Sequence, residues 1–416
     1  MDPAKSNPKG REFAAFPIVM VVAKGFQRPD IPRAKQEAKA LMEAGFSIFV
    51  FAWDRYAEFP KVENVDGAVV RSFSLVNLRK FSRVGLALGG IVFQIAFNLE
   101  LLRFINHVKK KPIINAHDIN TLFPCCAFRV LRLASALVYD CREMTYGVYS
   151  EWFHPVLGAI LRVIEEQLIG FADAVITVSD AIALYLRKFS QTVEVVYNCP
   201  RLLDIPRLPK KEVRRQLSLP EQAFIVSCVG TIRYDIRLDL MLEVASLLKN
   251  KGVFFLIVGE GPSTSEIIRG ARGIPNLKII PRVSRDMALR LILASDLTWA
   301  VYQNRPESLN PRMTLPWKLF ESIACGVPVI VEANTFRAHM VKQLQLGIVL
   351  DDDSAEGISR VIVGLAKDHA RYRKMSDAAR NVSVTEYNWE EMSRKLDVLY
   401  KRIAAVKFRQ FEIAAS

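Results

Sequence analysis

Residues Leu315–Glu332 read LPWKLFESIACGVPVIVE, and this stretch contains two consecutive structural signals. Its first half places apolar residues at helical spacing behind Pro316, a residue that suits the first turn of a helix. Its second half, beyond Gly326, is a short valine-rich run that is typical of a buried parallel strand. The stretch therefore predicts one helix followed directly by one strand of an α/β sheet.

The same alternation of strands and helices extends over the rest of the chain. In the first half, apolar runs such as FPIVMVVA, SIFVFAW and ALVYDC alternate with helical stretches such as PRAKQEAKALMEAGF. The pattern stops in a charged segment between Pro200 and Pro220, and it restarts with AFIVSCVG and VFFLIVGEG. We therefore expect two doubly wound, Rossmann-like α/β domains that meet near Pro200 and face a central cleft.

The charge balance indicates an anionic partner. The chain has 57 Lys and Arg against 43 Asp and Glu, a formal net charge of +14, and half of its 416 residues are hydrophobic, as in a folded protein. No aromatic residues are interleaved with the basic runs, so we expect no nucleic-acid partner. The six cysteines form no Cys-x-x-Cys pair and the N-terminus is polar, which favours a cytoplasmic protein without a signal peptide.

One apolar stretch, Val84–Leu102, leaves its relation to a membrane open. Gln94 and Glu100 interrupt it, which disfavours a helix that spans a bilayer. Basic residues flank it between Arg79 and Lys111, so a helix lying on an anionic bilayer and a core helix with a solvated basic end fit equally well.

Two motifs suggest a phosphate site, while the usual cofactor signatures are missing. The sequence has no Gly-x-Gly-x-x-Gly, Walker or His-Glu-x-x-His motif, and its five histidines are scattered, so we expect neither a metal nor a cofactor. Arg233 and Arg237 follow a strand and open a helix, where guanidinium groups can hold a diphosphate. Pairing of these arginines with Asp235 and Asp239 is the open alternative.

Lys318 and Glu321 give the second motif, three residues apart on one helix face. The helix N-terminus and Lys318 can neutralise a diphosphate, and Glu321 can accept hydrogen bonds from both hydroxyls of a ribose. The alternative is an ordinary Lys–Glu pair on the surface. The apolar neighbours of Glu321 favour the first interpretation, because a carboxylate among them needs partners.

PWKLFESIACGVPVI resembles the Pro-x-Lys-x-x-Glu…Gly-x-Pro-Val signature of glycosyltransferase family 4, whose members are retaining sugar-nucleotide transferases of GT-B fold. RAKQEAKALMEAGFSIFVFAWD, YDCREM, FADAVITVSDAIALYL, VGTIRYDIRLDLMLEVASLL and LIVGEGP resemble further segments of that family, in the same order. The resemblance covers nearly the whole chain. It implies an acceptor-side domain at residues 1–200, a donor domain at 201–385 and a terminal helix at 386–416 that crosses back to the first domain.

The resemblance also implies roles for individual residues. For the donor, they are Arg233, Arg237, Val283 (against the nucleobase), Lys318 and Glu321. Arg33 and His117 would line the acceptor side of the cleft, and the candidates for catalysis are Asp118, Asp140, Arg142 and Glu143. Two departures stand out: Met313 replaces the first glutamate of a Glu-x7-Glu pattern, and Arg142 replaces a histidine in YDCREM. Because arginine cannot act as a general base at neutral pH, Glu143 or Asp118 would have to serve, or the site is altered.

The function implied by the resemblance is transfer of a sugar, of hexosyltransferase type and with retention, from a nucleotide-diphosphate donor to an acceptor hydroxyl. The acceptor would be a glycan or lipid-linked molecule, reached from the cytoplasm with peripheral contact to an anionic membrane. Two alternatives remain. One is a degenerate protein that binds a nucleotide or a partner without turnover, and the other is a sugar-nucleotide epimerase.

Overall fold

The computed structural model describes residues 16–23, 26, 32–54, 56–74, 83–108, 111–144, 146–147, 150, 154–303 and 312–415. The chain divides into two compact units, one of Met1–Val196 with Ser393–Ser416 and one of Tyr197–Met392. The predicted assignment of an acceptor side and a donor side to two domains and a terminal helix stays a prediction.

The first unit contains an eight-stranded sheet in the order β3-β4-β2-β1-β5-β6-β7-β8. Its strands are β1 (Ile18–Val22), β2 (Ile48–Trp53), β3 (Val62–Val65), β4 (Ala68–Phe73), β5 (Ile113–His117), β6 (Ala136–Cys141), β7 (Ala174–Thr177) and β8 (Val193–Val195). All neighbours are parallel except β3 and β4, which form an antiparallel hairpin. Asp66 and Gly67 make its turn with φ of 52° and 96°, the left-handed conformations that an Asp-Gly pair adopts readily.

The described helices of this unit are α1 (Pro32–Glu43), α2 (Arg83–Val108), α3 (Ile119–Val130), α4 (Pro155–Ile169) and α5 (Asp180–Leu186). Strands β5 to β8 are neighbours in chain order, so right-handed crossovers put α3, α4 and α5 on the same face of the sheet. Phe97 and Phe104 of α2 pack against Phe51 of β2, which makes the described part of α2 a core helix on that side.

No helix among the described residues is both long and apolar enough to cross a bilayer. The basic residues Arg79, Lys80, Lys109 and Lys110, on which the alternative of a surface helix depended, lie outside the described residues.

The second unit contains a six-stranded sheet in the order β11-β10-β9-β12-β13-β14, parallel throughout. Its strands are β9 (Phe224–Val229), β10 (Val253–Val258), β11 (Leu277–Ile280), β12 (Leu297–Trp299), β13 (Val329–Glu332) and β14 (Gly347–Leu350). The chain leaves β9 towards β10 and β11 on one side and returns on the other side through β12. The switch point, where parallel sheets bind ligands, therefore lies between β9 and β12.

The helices described from residue 202 onwards are α6 (Lys210–Gln216), α7 (Leu238–Leu247), α8 (Thr264–Gly270), α9 (Arg285–Leu293), α10 (Trp317–Ala324), α11 (Phe336–Gln343), α12 (Ala355–Lys367), α13 (His369–Thr385) and α14 (Trp389–Ala415), with a short 3₁₀ turn at Leu202–Asp204. Helix α14 begins in the second unit and continues through residues of the first, where the Lys395 ammonium donates to the Val195 carbonyl at 3.0 Å. Both sheets have buried apolar strands with helices between them, which confirms the predicted doubly wound α/β class.

Candidate functional site

Lys318 lies at the switch point of the second sheet. It is in the first turn of α10, behind Pro316, and its side chain is buried. Its Nζ is 3.4 Å from Cys228 Sγ on β9 and 5.5 Å from the ring centroid of Tyr302, which follows β12. Its Cε is 4.0 Å from the position that a Cβ on Gly230 would occupy. One ammonium group thus contacts the carboxyl ends of both strands that flank the switch point.

The Lys318 ammonium is charged and has no carboxylate partner among the described residues. Burial disfavours the charged form, but Cys228, Tyr302 and the more distant Asp235 favour it, and the pKa of Lys318 is raised above its usual value. In the described part of the chain, Lys318 forms no ion pair; its hydrogen bond goes to a thiol. A buried cation of this kind is suited to bind an anion that enters from outside.

Gly230 leaves backbone open beside Lys318, in a loop that packs closely against the glycines after β10. A Cβ on Gly259 would lie 1.9 Å from the Gly230 oxygen, and one on Gly261 would lie 2.2 Å from the Ile232 oxygen, so the loops after β9 and β10 touch only because these side chains are absent. Gly230 has a φ of +132° and is exposed. The surface next to the ammonium is therefore bare backbone, which a phosphate can approach closely.

Glu321 lies one helical turn beyond Lys318, and its side chain is 17% exposed. Arg285 is its ion-pair partner, with Nη2 3.5 Å from Oε1, and the Arg285 guanidinium also lies 5.0 Å from the ring centroid of Trp317. Burial raises the pKa of Glu321, while Arg285 and Lys318 oppose that shift. The two motif residues therefore do not form the ordinary surface pair that the sequence left open.

Arg233 and Arg237 are held by nearby carboxylates. Arg233 makes two hydrogen bonds to Asp235, at 2.9 and 3.0 Å, and Arg237, the residue before α7, contacts Asp239 at 3.1 Å. This is the pairing that the sequence left as an alternative. Exposed pairs contribute at most about 1 kcal/mol, so an incoming diphosphate can replace the carboxylates. Val283 is half-buried after β11, next to the residue that caps α9.

A cavity of about 480 Å³ adjoins this region at the carboxyl ends of β12, β13 and β14. Neither Lys318 nor Glu321 lines it, but Tyr302 and Glu332 do. The Tyr302 ring lies between two cations, 5.5 Å from the Lys318 Nζ and 4.4 Å from the Arg337 guanidinium. Glu332 accepts a hydrogen bond from the Tyr302 amide at 2.9 Å and pairs with Arg337. The sequence analysis missed these three residues, although a glutamate that ends the strand PVIVE is a signal of the same kind as those it used.

In the first unit, four charged or polar side chains form a buried network. Arg33 contacts Glu37 at 2.7 Å and Asp140 at 3.4 Å. The His117 Nδ1 is 3.1 Å from Asp140, and its Nε2 is 3.7 Å from Glu37. Burial would raise the pKa of Asp140, but Arg33 and His117 lower it, whereas burial and the Asp140 charge raise the pKa of Glu37. The structure thus brings Arg33, His117 and Asp140 together, and it adds Glu37, which the sequence analysis missed.

These residues are removed from solvent. His117 and Asp140 are 0% exposed and Arg33 is 3% exposed, and their expected place in an acceptor-side cleft stays a prediction. The network makes this burial possible, because charges removed from water remain paired with one another.

The remaining candidates are more accessible. Asp118 and Arg142 form a partly exposed pair, with Arg142 Nε 3.2 Å from Asp118 Oδ1, and Glu143 is exposed. The Asp118 amide donates to the Asp140 carbonyl at 3.1 Å, which ties this pair to the buried network. The structure therefore separates the predicted residues into a buried group and an accessible group.

Glu37, His117 and Asp140 are also the residues that come nearest to a metal site in the described part of the chain, since their ligand atoms lie within 4.8 Å of one another. Arg33 contacts both carboxylates and already supplies a positive charge to them. A divalent cation would have to displace this guanidinium, so the donor set does not fit a resident metal.

Comparisons with known proteins agree with this picture. Residues 209–382 match the family described as Glycosyl transferases group 1. Among curated proteins, the chain is 22% identical over 254 residues to N-acetyl-alpha-D-glucosaminyl L-malate synthase of Bacillus anthracis, covering 59% of this chain and 63% of that protein. The chain thus spans less than two thirds of the length of the curated relatives it matches.

Two solved structures resemble the fold over nearly the whole chain. Sucrose-phosphate synthase from Thermosynechococcus elongatus has a TM-score of 0.75 at 19% identity, covering 94% of this chain and 100% of that one. Anabaena HepE in complex with UDP has a TM-score of 0.69 at 13% identity, with coverages of 93% and 100%. With the two doubly wound sheets, these likenesses confirm the predicted GT-B fold. Within that fold, the segment of residues 209–382 in the second unit matches the glycosyl transferases group 1 family.

Proposed function

We propose that this protein transfers a sugar from a nucleotide-diphosphate donor to an acceptor hydroxyl, with retention of configuration. The observation that carries the proposal is the arrangement on α10. Lys318, a buried ammonium that pairs with no carboxylate in the described ranges, lies at the switch point beside open backbone, and a partly desolvated carboxylate, Glu321, follows one turn later. These groups complement a diphosphate and a ribose in that order.

Each donor-side residue has a task in the proposed reaction. Cleavage of the sugar–diphosphate bond leaves negative charge on the departing group, which Lys318 and the N-terminus of α10 stabilise as it forms. Arg233 and Arg237 exchange their aspartate partners for phosphate oxygens. Glu321 turns from Arg285 towards the ribose hydroxyls, and the backbone at Val283 lies against the nucleobase.

The accessible group of the first unit supplies the sugar and acceptor side in this proposal. Arg142 and Glu143 provide hydrogen-bond partners near the transferred sugar, and Asp118 orients Arg142. The buried network of Arg33, His117 and Asp140 holds the ends of β5 and β6 in place, because Asp140 also anchors the Asp118 amide through its carbonyl. We assign these buried residues a positioning task and no contact with substrate.

For the donor and the acceptor, the proposal names only a chemical class. HepE has been solved with UDP and with UDP-glucose, which makes a uridine nucleotide the first donor to test. A lipid-linked or glycan acceptor and a cytoplasmic location with peripheral membrane contact are further proposals. The six cysteines, all free and buried, support the reducing compartment.

A thermal-shift screen with UDP-, GDP- and ADP-glucose tests the donor site directly. We expect one of the three to raise the melting temperature of the native chain and to leave Lys318→Met unshifted. Glu266→Ala, a substitution of an exposed carboxylate on α8, is the matched control and should respond as the native chain does. No shift with any donor, or an equal shift in Lys318→Met, would refute the assignment.

A second candidate function, nucleotide binding without turnover, is favoured by one observation. Arg142 stands where the family carries a histidine, and it is tied to Asp118. Release of UDP from UDP-glucose, with water as the acceptor, separates the two functions: binding without release supports the second candidate. An epimerase has less support, because the available carboxylates and histidine, Glu37, Asp140 and His117, are 0% exposed.

A further inference from the structure

Helix α4 buries a carboxylate and exposes apolar side chains, the reverse of the usual arrangement in a helix that covers a sheet. Its inward side carries Gly158, Glu165 and Ile169, which are buried, and the Glu165 carboxylate accepts a hydrogen bond from the Tyr139 hydroxyl. Its outward side carries Val156, Leu157, Ile160, Val163 and Ile164, which are between 37% and 59% exposed. These five residues recur at helical spacing and form one stripe. A helix that packed only against its own sheet would turn this stripe inward.

Helix α3 repeats the feature. Its outward positions are Phe123, Ala127, Val130 and Leu131, again at helical spacing, and the three large side chains are between 57% and 70% exposed. The two helices are neighbours, since Cys126 of α3 donates from its thiol to the Leu168 carbonyl of α4 at 3.6 Å. Both lie on the same face of the sheet. We call the outward sides of α3 and α4 the apolar helix face.

The apolar helix face is too large to be an incidental exposure. Burying a single Val, Leu, Ile or Phe side chain stabilises by about 1.5–3 kcal/mol, and this face leaves eight such side chains in water. Contiguous apolar patches of this kind mark interaction surfaces on water-soluble folds.

The exposed charges around this face are mainly positive. From residue 95 to 190, the exposed acidic side chains among the described residues are Glu143 and Asp180. The exposed basic ones there are Arg103, Lys111, Arg132, Arg162, Arg187 and Lys188. Four of these six follow the C-terminal ends of α2, α3 and α5, and in a parallel α/β sheet those ends lie along one edge. Basic residues therefore line one edge of the apolar helix face.

We propose that the apolar helix face docks on the surface of an anionic lipid bilayer. Apolar side chains enter the headgroup region, and the basic edge contacts the acidic headgroups. A second copy of this chain is a poorer occupant, because self-association brings like-charged edges towards each other. The inference extends the expected membrane contact from the stretch Arg79–Lys111, which supplies only Arg103 and Lys111 here, to the apolar sides of α3 and α4, and it does not depend on the proposed sugar transfer.

Vesicle sedimentation tests this surface without an activity assay. We expect the native chain to bind vesicles of phosphatidylcholine with 30% phosphatidylglycerol, to bind pure phosphatidylcholine much less, and to be released by 0.5 M salt. The double variant Ile160→Ser/Val163→Ser should bind at least about tenfold more weakly, because it removes two inserted apolar side chains. Phe123→Ser tests the neighbouring helix in the same way.

Two controls keep the result specific. Val62→Ser changes an equally exposed valine on β3 and should bind vesicles as the native chain does. Melting temperatures, and binding of the donor found in the thermal-shift screen, report that the variants are folded. Absence of binding to the acidic vesicles, or equal binding by the double variant, would overturn the proposal. So would a concentration-dependent dimer that the same substitutions dissociate.

Discussion

The predicted site residues of the two units are paired in opposite ways. In the first unit, Arg33, Glu37, His117 and Asp140 are at most 3% exposed and contact one another. In the second unit, Arg233 is 54% exposed and pairs with Asp235, a neighbour two residues along the chain. Removing one member of a buried ion pair costs about 3–5 kcal/mol, whereas an exposed pair contributes about 1 kcal/mol or less. The first arrangement therefore fixes geometry, and the second can exchange partners.

This difference matches the two tasks that the proposed reaction assigns. A group that binds the donor diphosphate must give up its resting partner at low cost, as Arg233 and Arg237 can. A group that holds strand ends in place must not exchange partners. The Lys318–Glu321 motif lies between these extremes, because Lys318 is buried but has no carboxylate to release in the part of the chain that the structure describes.

The largest expected effect comes from breaking the buried network. Arg33→Met leaves Asp140 and Glu37 without their guanidinium partner, and we expect it to lower the free energy of unfolding by about 3–5 kcal/mol. Urea unfolding measures this loss. Lys39→Met, at an exposed position of the same helix, should change stability by no more than about 0.5 kcal/mol. Equal effects of the two substitutions would remove the distinction between fixed and exchangeable charges.

A substitution in the Lys318–Glu321 motif should affect function and leave folding intact. Glu321→Ala removes the acceptor of two ribose hydroxyl bonds, and we expect kcat/KM to fall about 100-fold, or about 3 kcal/mol. The melting temperature should change little, since the only ion pair lost is the long contact to Arg285. Unchanged transfer by this variant, with Glu266→Ala as its control, would contradict the ribose assignment.

Glu165 is a third case, a buried carboxyl that is not part of an ion pair within the described ranges. Its hydrogen-bond partners there are Tyr139 and Cys141, and neither is a cation. Burial raises the pKa of this carboxyl from 4.5 to about 7. The folded chain thus binds a proton more tightly than the unfolded chain between these values, and stability falls as pH rises through that window. We expect the free energy of unfolding of Glu165→Gln, relative to that of the native chain, to increase by about 2 kcal/mol from pH 5 to pH 8. A constant difference in unfolding free energy at both pH values would contradict this.

The smallest effect on folding is expected at the exposed arginines. Arg233→Met and Arg237→Met should each change the free energy of unfolding by less than about 1 kcal/mol. They should nevertheless weaken binding of the nucleotide sugar about 10-fold each, because each removes a charge-assisted contact to phosphate. Isothermal titration with the donor measures the affinity. A variant that binds as the native chain does would show that its arginine stays with its aspartate.

Much of the fold could be predicted because its signals are local. Continuous apolar runs such as that of β10 and the helical spacing of α1 predict parallel strands and crossovers directly. The hairpin of β3 and β4 was missed because both strands are half-exposed and short, although the Asp-Gly pair at Asp66 marks its turn. Strand β14 was also missed, although GIVL is as long as the predicted strand β13.

The candidate site could be predicted only in part, because residue type does not report partners. Lys318 and Glu321 were readable from their spacing, but the contacts to Cys228 and Arg285 join residues far apart in the chain. His117 and Asp140 can be buried because Arg33 and Glu37 pair with them, and these two residues lie on α1, far from both along the chain. The apolar residues of α4 recur at helical spacing, yet the direction of its apolar side follows only from its packing.

Helix α10 also fixes the separation between the starting points of the Lys318 and Glu321 side chains. Its position against the sheet is fixed by a hydrogen bond between the hydroxyls of Ser322 and Thr298, which lies on β12, at 2.8 Å. Three residues of α-helix advance about 4.5 Å along the axis, so the ammonium and the carboxylate are set a constant step apart. A ligand that uses both must place its phosphates and its sugar ring at matching intervals.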